Sequence, residues 1–227
     1  MITTKNYFKE IYAILYKEIL SEFRTRYSIS NIFLFILTTI TMIALALVNE
    51  KMGAELSAGL LWIVIFFASM IGLSKTFVSE EERGTSFLLQ VFASSTSIYF
   101  GKLIFNILLS LFINFFALIL FFLFSNSKAV STPDLLTLVI AISSVAIATS
   151  TTVISAIISK ANSKNALFPI LSFPILLPII KIGMDLTVST FIGTSFLAIS
   201  SDLQLIVAYV GFITTISYLL FDFIWKE

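Results

Sequence analysis

Six apolar stretches, at about 29–48, 56–74, 99–124, 135–158, 166–184 and 203–225, constrain this chain more than any other feature. Each is close to the roughly 20 residues that a helix needs to cross about 30 Å of hydrocarbon. A bilayer offers no water to backbone N–H and C=O groups, so segments of this length cross as helices with internal hydrogen bonds. Composition agrees: 58% of residues are hydrophobic and 12% are charged, where soluble domains carry about 25% charged residues. The sequence therefore predicts an all-α integral membrane protein with six transmembrane helices.

Residues 1–28 precede the first span and have a different pattern. Phe8, Ile11, Tyr12, Leu15, Ile19, Phe23 and Tyr27 recur at three- and four-residue steps, while Lys9, Glu10, Lys17, Glu18, Glu22, Arg24 and Arg26 fill most of the remaining surface. That spacing predicts an amphipathic helix lying in the membrane interface. Residues 29–227 form the transmembrane domain. Orientation follows from Lys and Arg, which favour the cytoplasmic side. With the N-terminus in the cytoplasm, Lys5, Lys9, Lys17, Arg24, Arg26, Lys75, Arg83, Lys102, Lys160, Lys164 and Lys226 are inside, and only Lys51, Lys128 and Lys181 are outside. Both termini are expected in the cytoplasm. Lys75 and Lys181, near span ends, are expected to anchor at the interfaces.

The chain has no Cys and no His, which rules out a disulfide, a Cys/His zinc site and His-based acid–base chemistry. No span carries a pair of carboxylates or a nucleophile–base arrangement, so an intramembrane enzyme is disfavoured. A net charge of +1 makes no electrostatic case for a nucleic-acid partner. The polar residues inside the spans are few. Asn106, Ser110 and Asn114 share one face of the third span and need partners inside the bundle. Ser144, Ala148, Thr152 and Ala156 give the fourth span a small-residue face for close packing. Pro169, Pro174 and Pro178 predict a kinked or partly unwound fifth span and make it a candidate hinge. Residues 185–202 are expected to hold a short interfacial helix on the outer side.

The densest charge cluster, Ser79-Glu80-Glu81-Glu82-Arg83-Gly84-Thr85, lies in the cytoplasmic connection at 79–98. Ser79 and Glu82 fit a capping box. Gly84-Thr85 can end that turn and start a second helix, whose apolar face is Phe87, Leu88, Val91 and Phe92 and which stops at 94–97. The connection is expected to lie along the membrane as a short amphipathic unit. The Gly101-Lys102 pair is no phosphate loop: Leu103 follows it, and Thr96 stands where the first glycine would be. ATP chemistry is therefore expected on a partner, with no cofactor in this chain.

Glu80, Glu82, Gly84 and Thr85, followed by Leu88-Leu89 and Gly101-Lys102, resemble the coupling region of type-2 ABC exporter permeases. Taken with Glu22-Phe23-Arg24-Thr25-Arg26, Leu61-Trp62-Ile63, Phe66-Phe67-Ala68, Gly72-Leu73, Phe77, Leu167-Phe168-Pro169, Phe173-Pro174 and Leu177-Pro178, the pattern resembles the CcmB family of cytochrome c maturation over nearly the whole chain. The resemblance implies a six-helix permease subunit in a bacterial inner membrane that works with a CcmA-type ATPase, CcmC- and CcmD-type membrane subunits and a CcmE-type haem chaperone. It implies that Glu80, Glu82, Arg83, Gly84 and Thr85 couple to the ATPase, whose hydrolysis drives haem delivery or release of the haem-loaded chaperone. Haem iron is typically held by His, Cys, Met or Tyr. Two of these are missing here, and the Met and Tyr residues are scattered, which places a haem site on a partner. Two other readings stay open at this point: the permease of another type-2 exporter, and a scaffold that assembles the haem-handling complex without transport.

Overall fold

A computed structural model describes residues 7–25, 27–48, 50–125, 130–161 and 164–226. Lys5, Arg26 and Lys128, counted above for orientation, lie outside the described residues. The described residues form nine helices: α1 (Tyr7–Thr25), α2 (Tyr27–Ala46), α3 (Ala54–Leu73), α4 (Lys75–Glu82), α5 (Ser86–Phe92), α6 (Ser95–Phe124), α7 (Pro133–Ile158), α8 (Lys164–Ile192) and α9 (Phe196–Lys226). Six of them, α2, α3, α6, α7, α8 and α9, are long and apolar enough to cross a membrane, as the sequence predicts.

α7 is the centre of the bundle. It packs against α4, α6, α8 and α9, and 72% of its apolar window is buried, against 17% for α2 and for α9. Its sequence explains the position. Ser144, Ala148, Thr152 and Ala156 are all buried, and short side chains let neighbouring backbones approach. The hydroxyls do not burden the core, because they fold back on their own helix. Ser150, Thr151 and Thr152 donate to the carbonyls of Ala146, Ile147 and Ala148 at 2.9, 2.8 and 2.6 Å.

Three expectations are corrected. Residues 185–202 contain no separate interfacial helix. α8 continues to Ile192 and α9 starts at Phe196, with the break at Gly193, whose φ is 89°. The extension of α8 is held by tertiary partners that the sequence does not reveal. Trp62 Nε1–H donates to Thr187 Oγ1 at 3.0 Å, and Ser131 Oγ donates to the Phe191 carbonyl at 2.8 Å. The fifth span is also not unwound: α8 is helical through Pro169, Pro174 and Pro178. All three prolines lie on its exposed side, while Phe168, Ser172, Leu176 and Ile179 form the buried side. Lys181 is exposed and donates to Asp185 one turn on; because α8 continues to Ile192, it lies eleven residues before the helix end and not at the end of the span as expected.

Candidate coupling site

The 79–98 connection is a helix, a tight turn and a second helix. Ser79 lies inside α4, so the expected capping box at Ser79 and Glu82 does not form. α4 instead ends in a glycine turn. The Thr85 N–H donates to the Glu80 carbonyl at 2.9 Å and the Gly84 N–H to the Glu81 carbonyl at 3.2 Å. Gly84 has φ 66°, a left-handed conformation that costs a side chain about 1–2 kcal/mol. Thr85 then starts α5 through its backbone, its carbonyl accepting from the Leu89 N–H at 3.0 Å. Its hydroxyl is used elsewhere and donates to the Glu80 carboxylate at 2.5 Å.

Glu80 is buried and points inward. Its Oε1 accepts from Lys17 and, at 3.3 Å, from Lys102. Lys102 is completely buried. Its Nζ also donates to Glu18 Oε1 at 2.6 Å and to the Thr76 carbonyl at 2.7 Å, and lies 5.1 Å from the Phe77 ring centroid. Lys17 closes the cluster on Glu18 Oε1 at 3.1 Å. Two ammoniums thus neutralise two carboxylates contributed by α1, α4 and α6. Burial lowers the Lys17 pKa, but the Glu18 charge and the hydrogen-bonded Glu80 more than offset this and hold it above the ordinary lysine value. Burial and the Glu18 charge raise the pKa of Glu22, one turn along α1.

Gly101 makes this cluster possible. A Cβ there would lie 2.8 Å from Ile14 Cγ2 and 3.2 Å from the Ile11 carbonyl oxygen. Glycine lets α1 lie directly on α6, and the next residue, Lys102, reaches from α6 to α1 and α4. Two further contacts tie α1 down. Glu10 accepts from the Ser94 N–H and Oγ at 3.1 and 2.9 Å, and Arg83 donates to Ser21 Oγ at 3.3 Å. α1 thereby presents two sides. Ile14 and Glu18 are buried against the bundle, while Phe8, Tyr12, Tyr16, Leu20 and Phe23 are exposed.

The motif therefore divides by burial. Glu80 and Thr85 bond to each other inside the block, whereas Glu82, Arg83 and Gly84 are exposed. α5 divides in the same way. Gln90 Nε2 donates to the Trp225 carbonyl at 2.6 Å, fastening one side of the helix to α9. Phe87, Leu88, Val91 and Phe92 face outward, with Phe87 and Phe92 74% and 75% exposed.

The face of α6 that begins at Lys102 continues into the bilayer as Asn106, Ser110 and Asn114. Asn106 Nδ2 donates to Thr152 Oγ1 at 2.7 Å and its Oδ1 accepts from Thr76 at 2.9 Å. Ser110 donates to the Ser144 carbonyl at 3.0 Å. Asn114 donates to Ser144 Oγ at 2.9 Å and accepts from Ser69 at 3.3 Å. The three predicted polar residues join α6 to α3, α4 and α7. The sequence reading did not bring Lys102, Lys17 and Glu18 together with Glu80. The available signal was spacing, since Lys102 is one four-residue step before Asn106.

A family model described as CcmB protein matches residues 9–221 of the chain. Comparison with curated proteins finds no match.

Proposed function

The chain belongs to the CcmB family of multi-pass inner-membrane ABC permease subunits that serve haem transport in cytochrome c biogenesis, and from that premise we propose that α1, α4 and α5 form the dock for the partner ATPase. Both termini and this dock lie in the cytoplasm, as the lysine and arginine distribution favours. ATP is bound and hydrolysed by the CcmA-type partner. Haem is handled on CcmC-, CcmD- and CcmE-type partners, and the work done is release of the haem-loaded chaperone.

One observation carries this reading: a buried charged cluster with an exposed apolar helix face beside it. Glu80 and Thr85 serve as positioning residues that hold α5 in place. Glu82, Arg83 and the apolar face of α5 meet the ATPase. The block is joined through Lys102 to α6, a 30-residue helix, so displacement of the dock moves a transmembrane helix with it. Pro169, Pro174 and Pro178 are the candidate hinge in α8, where each proline removes an N–H from the helical ladder.

The test is co-purification of the ATPase with Phe87→Asp/Phe92→Asp and, separately, with Glu82→Lys. Both changes lie on exposed positions and should leave membrane insertion intact. The double change is expected to abolish ATPase capture, and the charge reversal to weaken it. Undiminished capture with ATP hydrolysis still responding to the haem chaperone would sink the docking role.

A further inference from the structure

A cavity of about 370 Å³ lies between the start of α6 and the end of α9 and takes no wall from α1, α4 or α5. Ser95, Thr96, Tyr99, Tyr218, Phe221 and Asp222 line it, among others. Its depth follows from its place in the spans. Ser95 opens α6, and Asp222 stands in the last turns of α9, so the cavity lies at the headgroup level of the leaflet on the side of the 79–98 connection. Tyr99, Tyr218 and Trp225 lie at this end, as aromatic side chains of membrane proteins do near the interface. The lining offers donors and an acceptor. Ser95 and Thr96 stand in the first turn of α6, where backbone N–H groups have no acceptor within the helix. Tyr99 is completely buried, and among the described residues its hydroxyl has no hydrogen-bond partner. The neighbouring Ser217 donates instead to the Ile213 carbonyl at 2.6 Å. A buried hydroxyl in that state is costly, and a ligand oxygen relieves it. Asp222 is exposed. It already interacts within the chain, but a carboxylate offers about four lone-pair sites and accepts from more than one donor.

We propose that this cavity binds the headgroup of a phospholipid that carries a primary amine, of the ethanolamine type. The ammonium donates to Asp222. The phosphate accepts from the hydroxyls of Ser95, Thr96 and Tyr99 at the first turn of α6. The acyl chains leave over Leu219 and Phe223, which are 62% and 71% exposed. Three features select this occupant. The hydroxyls and helix start call for a phosphate, the carboxylate calls for a cation, and headgroup depth puts both charges on one lipid. A choline headgroup has no N–H to donate, and an anionic headgroup brings its net charge against Asp222. The proposal does not rest on the ATPase dock, and ATPase capture is measured on the same samples so that the two fail separately.

The experiment uses the full chain with its co-purifying subunits in phosphatidylcholine vesicles. The vesicles contain a trace of phosphatidylethanolamine, phosphatidylcholine or phosphatidylglycerol with a photoactivatable group on the acyl chain beside the glycerol, and adducts are mapped by mass spectrometry. Adducts should concentrate on Tyr218, Leu219 and Phe223. Phosphatidylethanolamine should be favoured over phosphatidylcholine about fivefold, the scale of one hydrogen bond, with phosphatidylglycerol no better than phosphatidylcholine. Asp222→Ala should bring the first ratio to one. Tyr99→Phe removes one oxygen and should lower labelling by all three lipids about threefold, whereas a tyrosine that serves packing alone leaves labelling unchanged. Labelling no denser at these residues than on α2 overturns the proposal. So does equal labelling by the ethanolamine and choline lipids, a preference that survives Asp222→Ala, undiminished labelling of Tyr99→Phe, or a cavity labelled only when the other subunits are removed.

Discussion

Two stations on the inner face of α6 solve the same problem in different ways. At its loop end, Lys102 is buried among Glu18, Glu80 and the Thr76 carbonyl. Farther along, Asn106, Ser110 and Asn114 are buried among neutral hydroxyls and a carbonyl. The difference lies in what remains when one member is lost. Thr152 also donates to the Ala148 carbonyl one turn back, and the Leu73 carbonyl at the end of α3 is a second acceptor for the Thr76 hydroxyl, so both keep a partner if Asn106 is removed. Glu18 and Glu80 would keep Lys17, which is 42% exposed, as their one cation in the cluster, with Thr85 still donating to Glu80. The charged station is thus an all-or-none lock and the amide station a graded one. A lock holds α1, α4 and α6 together as one piece, and a graded contact suits a bundle interior.

Lys102→Met tests this contrast most severely. Removing one partner of a buried ion pair costs about 3–5 kcal/mol. We expect α1 to detach, read as rapid proteolysis within 7–25 and a large fall in thermal stability. The triple change Glu18→Gln/Glu80→Gln/Lys102→Met should recover much of that loss, because the charge it leaves in the cluster is Lys17, which is 42% exposed and can reach water. Asn106→Leu should be milder. Interhelical polar contacts in membranes average about 0.6 kcal/mol and reach about 1.7, so a thermal shift matching that of Lys102→Met would erase the distinction between the two stations. The smallest effect is expected at Glu22. Its pKa is raised in the folded protein by burial and by Glu18, so the ionised form opposes folding. Stability is fullest below the ordinary value of 4.5 and falls as pH rises through the folded value. Glu22→Gln should therefore stabilise the protein by about 0.5 kcal/mol at pH 7 and match the parent below pH 4.5. Melting curves at the two pH values decide it, and destabilisation at pH 7 would show that the Lys75 and Arg83 contacts dominate.

The six spans were legible because length and hydropathy are local quantities. The Asn106–Ser110–Asn114 face was legible because a helix places every fourth residue on one side. The Ser79–Thr85 segment was legible as a charge cluster between spans, but its division was not. Glu80 and Glu82 are two residues apart and equally acidic, yet one is buried and the other exposed. Ser79 followed by Glu82 has the form of a capping box, but α4 already begins at Lys75, so neither residue is at a helix start. Gly101-Lys102 was legible as part of the family pattern and as a failed phosphate loop, but not as the place where α1 lies on α6.

The sequence by itself determined the class of molecule, its six crossings, the amphipathic first helix and the absence of His and Cys chemistry, because each depends on residue type and short-range period. The tertiary structure alone decided that Lys17, Glu18, Glu80 and Lys102 meet. Their separation along the chain reaches 84 and 85 residues, and contacts across such distances are set by how helices pack, with Gly101 as the point where packing allows them.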